Sequence, residues 1–507
     1  MKKNLLSVAV AASMVGATGA VTAQDTMFIS PDKTGQALIF PFYNAENGNT
    51  TSMHIVNTTD KSKVLKVRFR EYKASYEVLD FNVFLSPKDH FSWTVAAHPE
   101  GKTDGAAIIT RDKSCTYPAL GSENYAPYEG GTLADGAVYQ PFVNFEFAKA
   151  ADNGDARTLA GYAEVIEMGV ALTDTAGKAW NAAITHVKGV PAKCATLATL
   201  YGTGAWKNGG NAGIGAPEGG VYGISYHLNV DDAAAFGIEP TVIDDWSSVA
   251  QHYLAGSEFP NLGQGNLKSR IMDPTDGEPN QMTWANGWDA VSSLIMTKRI
   301  MNDVMTNSAV GAMTDWVITF PTKHRYVNGK TTAALTTSPF TDNYTPGSSS
   351  VKEKLACEVV GTYYYDREEQ TVVPKDQPGF SPQPDFEKEY QKLCYEVTTL
   401  NWDNDAGALN GTLGNQKASY IFEDGWAEIY MDYQTWQDAN TTVNTTRRRL
   451  VDSTTSYPTT LNGLPAVGFM ATKYANSTVI DGAMFAYGHV ADHKTDTAVS
   501  DLVGTPR

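Results

Sequence analysis

The chain has 507 residues, with 56 acidic side chains against 39 basic ones and a formal net charge of −17 at neutral pH. A surface that acidic repels phosphate backbones and anionic lipid headgroups, which excludes nucleic acid as an expected partner and favours solubility and divalent cations. The four cysteines, Cys115, Cys194, Cys357 and Cys394, are spaced too widely for a zinc knuckle.

In chain order, the first 23 residues come first. They place Lys2 and Lys3 ahead of an apolar run ending in Val21-Thr22-Ala23, the pattern of a secretory signal peptide. Gly16, Thr18 and Gly19 interrupt that run short of the roughly 20 residues a spanning helix requires. Loss of the leader takes the chain from 507 to 484 residues and, with its two lysines gone, the charge from −17 to −19. The expected product is secreted, extracellular, on the outer cell surface or in the periplasm, with no transmembrane segment. Its length exceeds what one core usually serves. In an exported chain the cysteines read as disulfides. Three pairings exist, and neighbours in sequence favour Cys115 with Cys194 and Cys357 with Cys394.

Ala37 to Tyr43 is the first apolar strand candidate. In SMHIVNTTDKSKVLKVRFREY, Ser52 to Tyr72, Leu65, Val67 and Phe69 share one face of a strand while Lys66, Arg68 and Arg70 share the other. This basic row is expected either to face solvent or to pair across strands with carboxylates such as Asp80; the alternative is a sulfate, phosphate or glycan-acid site. Leu79 to Leu85 and Phe91 to Val95 alternate likewise. Residues 27–97 therefore resemble an immunoglobulin-like β-sandwich in architecture.

Further strands are expected over Val138 to Phe147 and Ala160 to Ala171, followed by a glycine-rich surface loop over 202–220, which closes an N-terminal sandwich region at about residue 235. Residues 236–338 read as a connector with covering helices at 244–254 and 289–305. The latter carries Val291, Leu294, Ile295, Met301, Val304 and Met305 at helical spacing, ahead of a strand through Trp316, Ile318 and Phe320. The C-terminal β region, 339–507, has strand candidates at Val359 to Tyr365, Tyr395 to Leu400, Ala418 to Phe422, Trp426 to Tyr433, and a hairpin over 467–487 turning at Asn476-Ser477. The proline-rich stretch Pro374 to Phe386 is unsuited to a central strand. The fold expected is mainly β, of immunoglobulin-like sandwiches with a few covering helices.

The stretches NTTDKSKVLKVRFRE, LSPKDHFSW, TDWVITFPTK, YYYDREEQ and GLPAVGF resemble an uncharacterised family of exported, cell-surface proteins of Gram-negative bacteria. The resemblance spans most of the mature chain and implies export. It carries no activity or site residue with it.

Motifs for chemistry are sparse. There is no G-x-S-x-G elbow, no H-E-x-x-H and no G-x-G-x-x-G, and Gly329-Lys330-Thr331 lacks the earlier glycine of a P-loop. His489 and His493 have a spacing that could share a metal. In NWDNDAG, Asn401, Asp403 and Asp405 put oxygen ligands at alternate positions before Gly407, which suits Ca²⁺ although the spacing fails the EF-hand; the competing reading is an Asx-rich turn. Asn-x-Ser/Thr sites such as Asn57, Asn440, Asn444 and Asn476 read as turns and strand edges in such a context. Carboxylate pairs at Glu164 and Glu167, and at Asp366, Glu368 and Glu369, are the remaining route to hydrolysis. The expectation is a structural or adhesive protein, a matrix or filament component with no required cofactor. It would act through sheet edges, partnered by itself or by extracellular polysaccharide, with Thr26 to Ser30 available to complete a neighbouring subunit's sheet. The rival is a polysaccharide-binding protein or glycoside hydrolase with a loop-lined acidic and aromatic cleft, using Glu368 and Glu369.

Overall fold

A computed structural model describes residues 25–122, 125–150, 152–272, 279–327, 339–340, 356–368, 390–402, 407–418, 422–438, 441–453, 459–480, 483–497 and 499–500. Residues 1–24 and the stretch 374–386 lie outside them.

Alternation across the pleat dictates the N-terminal architecture. The strands are β1 (Thr26–Ile29), β2 (Ala37–Asn44), β3 (Asn49–Asn57), β4 (Lys63–Glu71), β5 (Glu77–Leu85), β6 (His90–Ala97), β7 (Ala106–Thr110), β8 (Cys115–Tyr117), β9 (Gly131–Thr132), β10 (Val138–Pro141) and β11 (Ala160–Ala171). A ten-stranded sheet runs in the order 279–283, 268–272, β1, 241–244, β2, β11, β4, β5, β8, with 214–215 beside β11. Facing it is a seven-stranded sheet in the order 234–238, 221–229, β3, β6, β7, β10, β9. Leu65, Val67 and Phe69 of β4 share a buried core with Met53, Ile55 and Trp93, and Phe69 meets Trp93 edge to face at 6.1 Å.

The C-terminal half repeats the plan. A six-stranded sheet built on Met296–Met305, Glu358–Asp366 and Asp424–Tyr430 packs against a five-stranded sheet built on Ala312–Thr319, Val397–Asn401, Val467–Ile480 and Ala483–Asp492. Ile300, Val304, Val360 and Ile429 bury against Trp316, Ile318, Leu400 and Met470.

The two sandwiches are fused by packing. Phe42, Tyr162 and Phe236 cluster with Val317, Val397 and Phe469 across the junction. Thr319 Oγ1 donates to the Pro41 carbonyl at 2.6 Å, and the Val397 N–H donates to the Tyr72 carbonyl at 2.9 Å. Each large apolar side chain so buried contributes about 1.5–3 kcal/mol.

Several expectations change. The segment 289–305 is not one helix: Asn286 caps a short α-helix, Gly287–Leu294, by accepting from the Asp289 N–H at 2.9 Å, and Met296–Met305 is a strand paired with Asp424–Tyr430. Its period-two burial, Ile300, Asn302 and Val304 in and Met301, Asp303 and Met305 farther out, won over the helical reading because a partner strand satisfies its backbone. Residues 245–254 form no helix either; they run irregularly over the sheet, and Trp246 Nε1 donates to the Leu262 carbonyl at 3.0 Å. The glycine-rich stretch is more than a surface loop, since Trp206 is fully buried, stacked on Phe84 with centroids 5.6 Å apart. β10 stops at Pro141, and the strand expected at 418–422 falls instead at Asn415–Lys417, with 419–421 outside the described residues. The terminal hairpin forms but continues past Asn476 to Ile480. Finally, β1 is paired on both sides within its own sheet, with Met27 buried. Thr26 to Ser30 thus completes this chain's sheet rather than standing free for a neighbour's.

Candidate functional site

The basic row does not face water. On β4, Lys66 and Arg68 have side chains 0% exposed and Arg70 is buried beside them, because residues 251–262 lie over this face of the sheet. Lys66 Nζ lies 2.7 Å from Asp80 Oδ2 and donates to the carbonyls of Leu254 and Ser257 at 3.2 Å. Arg68 pairs with Glu77 at 2.6 Å and donates to the carbonyls of Pro260 and Ser257 at 3.0 Å. Arg70 Nε donates to Glu164 at 3.1 Å. The cross-strand pairing with Asp80 is as expected, but the solvent side is not, and no anionic ligand can reach guanidinium groups already engaged inside the protein. Lys63 and Glu167, both 0% exposed, form a separate pair at 2.6 Å, with the Glu218 and Gly219 N–H groups also donating to Glu167.

The carboxylates of this layer reach a cleft of about 400 Å³ on the other side of β5. β8 pairs only with Asn82, Val83 and Phe84, so the upstream half of β5 has no strand beyond it. There, Val78 accepts from the Val143 N–H at 2.9 Å, and residues 118–120, Tyr125 and Tyr128, the segment 141–146 and Ala255-Gly256 close around the gap. Apolar walls come from Val78, Phe81, Leu120 and Val143, and polar groups from Glu77, Asp80, Gln140 and Glu146. Tyr125 is 59% exposed and Phe145 54%; their rings meet at 87° with centroids 5.9 Å apart, and Tyr128 stands at 90° to Phe145 at 5.3 Å. Tyr128 is fixed by donating its hydroxyl to Asp155 at 2.6 Å.

Glu77 is the electrostatically unusual group. Its side chain is 20% exposed, and burial pushes its carboxyl up to about 7 against the opposing pull of Arg68, with Asp80 adding to the rise. Its own N–H donates to Glu146 at 2.8 Å. A titratable group shifted toward neutrality beside a concave, aromatic-lined surface is the arrangement expected of a binding site.

The residues singled out from sequence lie elsewhere. Glu368 is exposed in the turn after Glu358–Asp366, its N–H donating to Asp366 at 2.9 Å, and Glu369 lies outside the described residues. Glu164 and Glu167 are both buried, and their odd spacing puts them on opposite faces of β11, in different ion pairs. Asn401 is buried at the end of its strand; Asp403 and Asp405 lie outside the described residues. His493 makes contact through both ring nitrogens, with Val317 O at 3.0 Å and Asn302 Nδ2 at 3.3 Å, and burial pushes it down to about 4, while His489 is exposed. The two do not form a metal pair. Among the described residues no three His, Cys, Asp or Glu side chains gather as a metal site, and no helix is long and apolar enough to cross a membrane. The disulfides join Cys115 to Cys194 and Cys357 to Cys394, as sequence proximity favoured.

Sequence reasoning missed Glu77, Tyr125, Phe145 and Glu146. The available signal was a Gly-, Pro- and Asn-containing loop with two tyrosines, ENYAPYEGG, and an aromatic-acidic pair in FVNFEF; their convergence over β5 depends on tertiary structure. No family model matches the chain, and no match was found among curated proteins or solved structures.

Proposed function

We propose that the protein is an exported adhesive scaffold of immunoglobulin-like β-sandwiches that holds extracellular polysaccharide in the β5 cleft. The observation carrying this reading is the exposure of Tyr125 and Phe145 side by side at the mouth of a concave surface. Exposed large rings scattered singly are ordinary; adjacent ones on a cleft mark a binding surface. The C–H face of a sugar ring stacks on such rings while its hydroxyls bond to carboxylates and amides of the kind supplied by Glu77, Asp80, Gln140 and Glu146.

Binding without turnover fits the electrostatics. A general acid must present its proton to the glycosidic oxygen, whereas Glu77 is held by Arg68 at 2.6 Å. Two disulfides and the leader pattern favour an oxidising, extracytoplasmic setting. Affinity electrophoresis of the mature protein through gels containing soluble polysaccharides tests the proposal. Retardation by at least one polysaccharide, lost in the double variant Tyr125→Ala/Phe145→Ala at unchanged melting temperature, is the expected result. Equal retardation of variant and wild type, or none in any gel, would refute it.

A further inference from the structure

The charge pattern of the cleft points to a narrower class of ligand. Three carboxylates, Glu77, Asp80 and Glu146, line it, and none of the described lining residues is a Lys, Arg or His. The cations that balance two of them, Lys66 and Arg68, sit behind the β5 wall with side chains 0% exposed, so an arriving ligand meets the exposed carboxylate of Glu146 and aromatic faces first. Glu146 is exposed at the mouth, next in sequence to Phe145 and in the same cleft as Tyr125. Aromatic faces beside carboxylates attract ammonium groups, with the ring quadrupole adding to the Coulomb term. The chain's net charge of −17 opposes polyanions at longer range.

Building on the polysaccharide reading, we infer that the cleft selects sugar chains bearing free amino groups over neutral and uronic-acid chains. Glu146 supplies the ammonium contact and Tyr125 and Phe145 the ring contact. A lysine side chain offers the same ammonium, but it lacks the flat C–H face that two exposed rings can stack on.

Calorimetric titration of the full mature protein, at about pH 6 so that the sugar amine is charged, separates the outcomes. The probes are a glucosamine oligomer, its N-acetylated counterpart, a glucose oligomer, a uronic-acid oligomer and oligolysine. The glucosamine oligomer is expected to bind at least about tenfold tighter than the N-acetylated and neutral oligomers, a gap of about 1.4 kcal/mol, and Glu146→Gln is expected to close that gap. Equal affinity for amino and N-acetylated oligomers, a preference for the uronic-acid oligomer, or an undiminished gap in Glu146→Gln overturns the amino-sugar inference and leaves the polysaccharide reading standing. Tighter binding of oligolysine assigns the cleft to a cationic peptide and overturns both, as does binding of none of the probes.

Discussion

At the scale of the residue, the organising feature is charge placed where water is not. Moving Lys66, Arg68 and Glu164 out of water carries a desolvation penalty that mutual attraction repays only with good geometry and further hydrogen bonds, and here main-chain carbonyls at 254, 257 and 260 supply them. Removing one partner leaves the others uncompensated. Arg68→Ala is therefore expected to cost about 3–5 kcal/mol in urea unfolding, whereas Lys61→Ala, whose pair with Glu218 is exposed, should change stability by less than about 1 kcal/mol. A loss at Arg68 no larger than that at Lys61 would show that the layer contributes nothing. Glu77 gives this layer a pH signature. Its folded carboxyl titrates near 7 against an ordinary 4.5, so its relative contribution is full below 4.5 and is lost as pH rises through 7. Glu77→Gln removes that gain on acidification, and its acid-side loss of stability should be steeper than that of the wild type in melts between pH 7 and 4.5.

At the scale of the element, alternation was legible wherever one face of a strand meets a core. β11 has the bounds expected from Ala160 to Ala171, and β4 has the expected inward face. The outward face misled because sequence cannot say that an irregular stretch with no periodicity of its own, residues 245–262, will fold over Lys66 and Arg68. The segment 289–305 misled for a related reason: its apolar residues satisfy both periods, and the choice fell to pairing with the strand Asp424–Tyr430, far along the chain. That choice is checkable. With Ile300 buried and Met301 half-buried, Ile300→Ala should cost about 2–4 kcal/mol and Met301→Ala about 1 kcal/mol or less. The reverse order would restore the helix. Backbone crowding gives a second test on β11. A Cβ at Gly161 would lie 2.0 Å from the Arg70 carbonyl oxygen, so Gly161→Ala should lower the melting temperature by several degrees or prevent folding.

At the scale of the whole molecule, the two sandwiches share one apolar cluster across their junction, so unfolding should be a single transition by fluorescence and circular dichroism. His227 lies in that junction, 5.7 Å from Phe42, and burial pushes it down to about 4 despite the bond its ring donates to the Leu409 backbone. His252, in the 251–262 segment and buried against Tyr201 and Trp206, is pushed to about 4 by the same cause. Both are neutral when folded and titrate near 6.5 when unfolded, so the stability they contribute is present above pH 6.5 and is lost as pH falls toward 4. Together with His493, which burial also pushes down to about 4, they outweigh at up to about 3 kcal/mol each the opposite trend of Glu77 and of Asp245, which burial pushes up to about 6. The melting temperature should therefore fall between pH 6.5 and 4. A flat profile would contradict the burial of these rings.

The mainly β class and the disulfide pairing were within reach of the sequence; the cleft was not, because Glu77, Tyr125 and Phe145 are distant in sequence and meet only beside the half of β5 that β8 leaves unpaired. That meeting place is the centre of the account. A crystal structure of the protein soaked with a saccharide it binds tests it most directly. Sugar density stacked on Tyr125 and Phe145 within bonding distance of Glu146 is the predicted result, and density elsewhere with this cleft empty would contradict it.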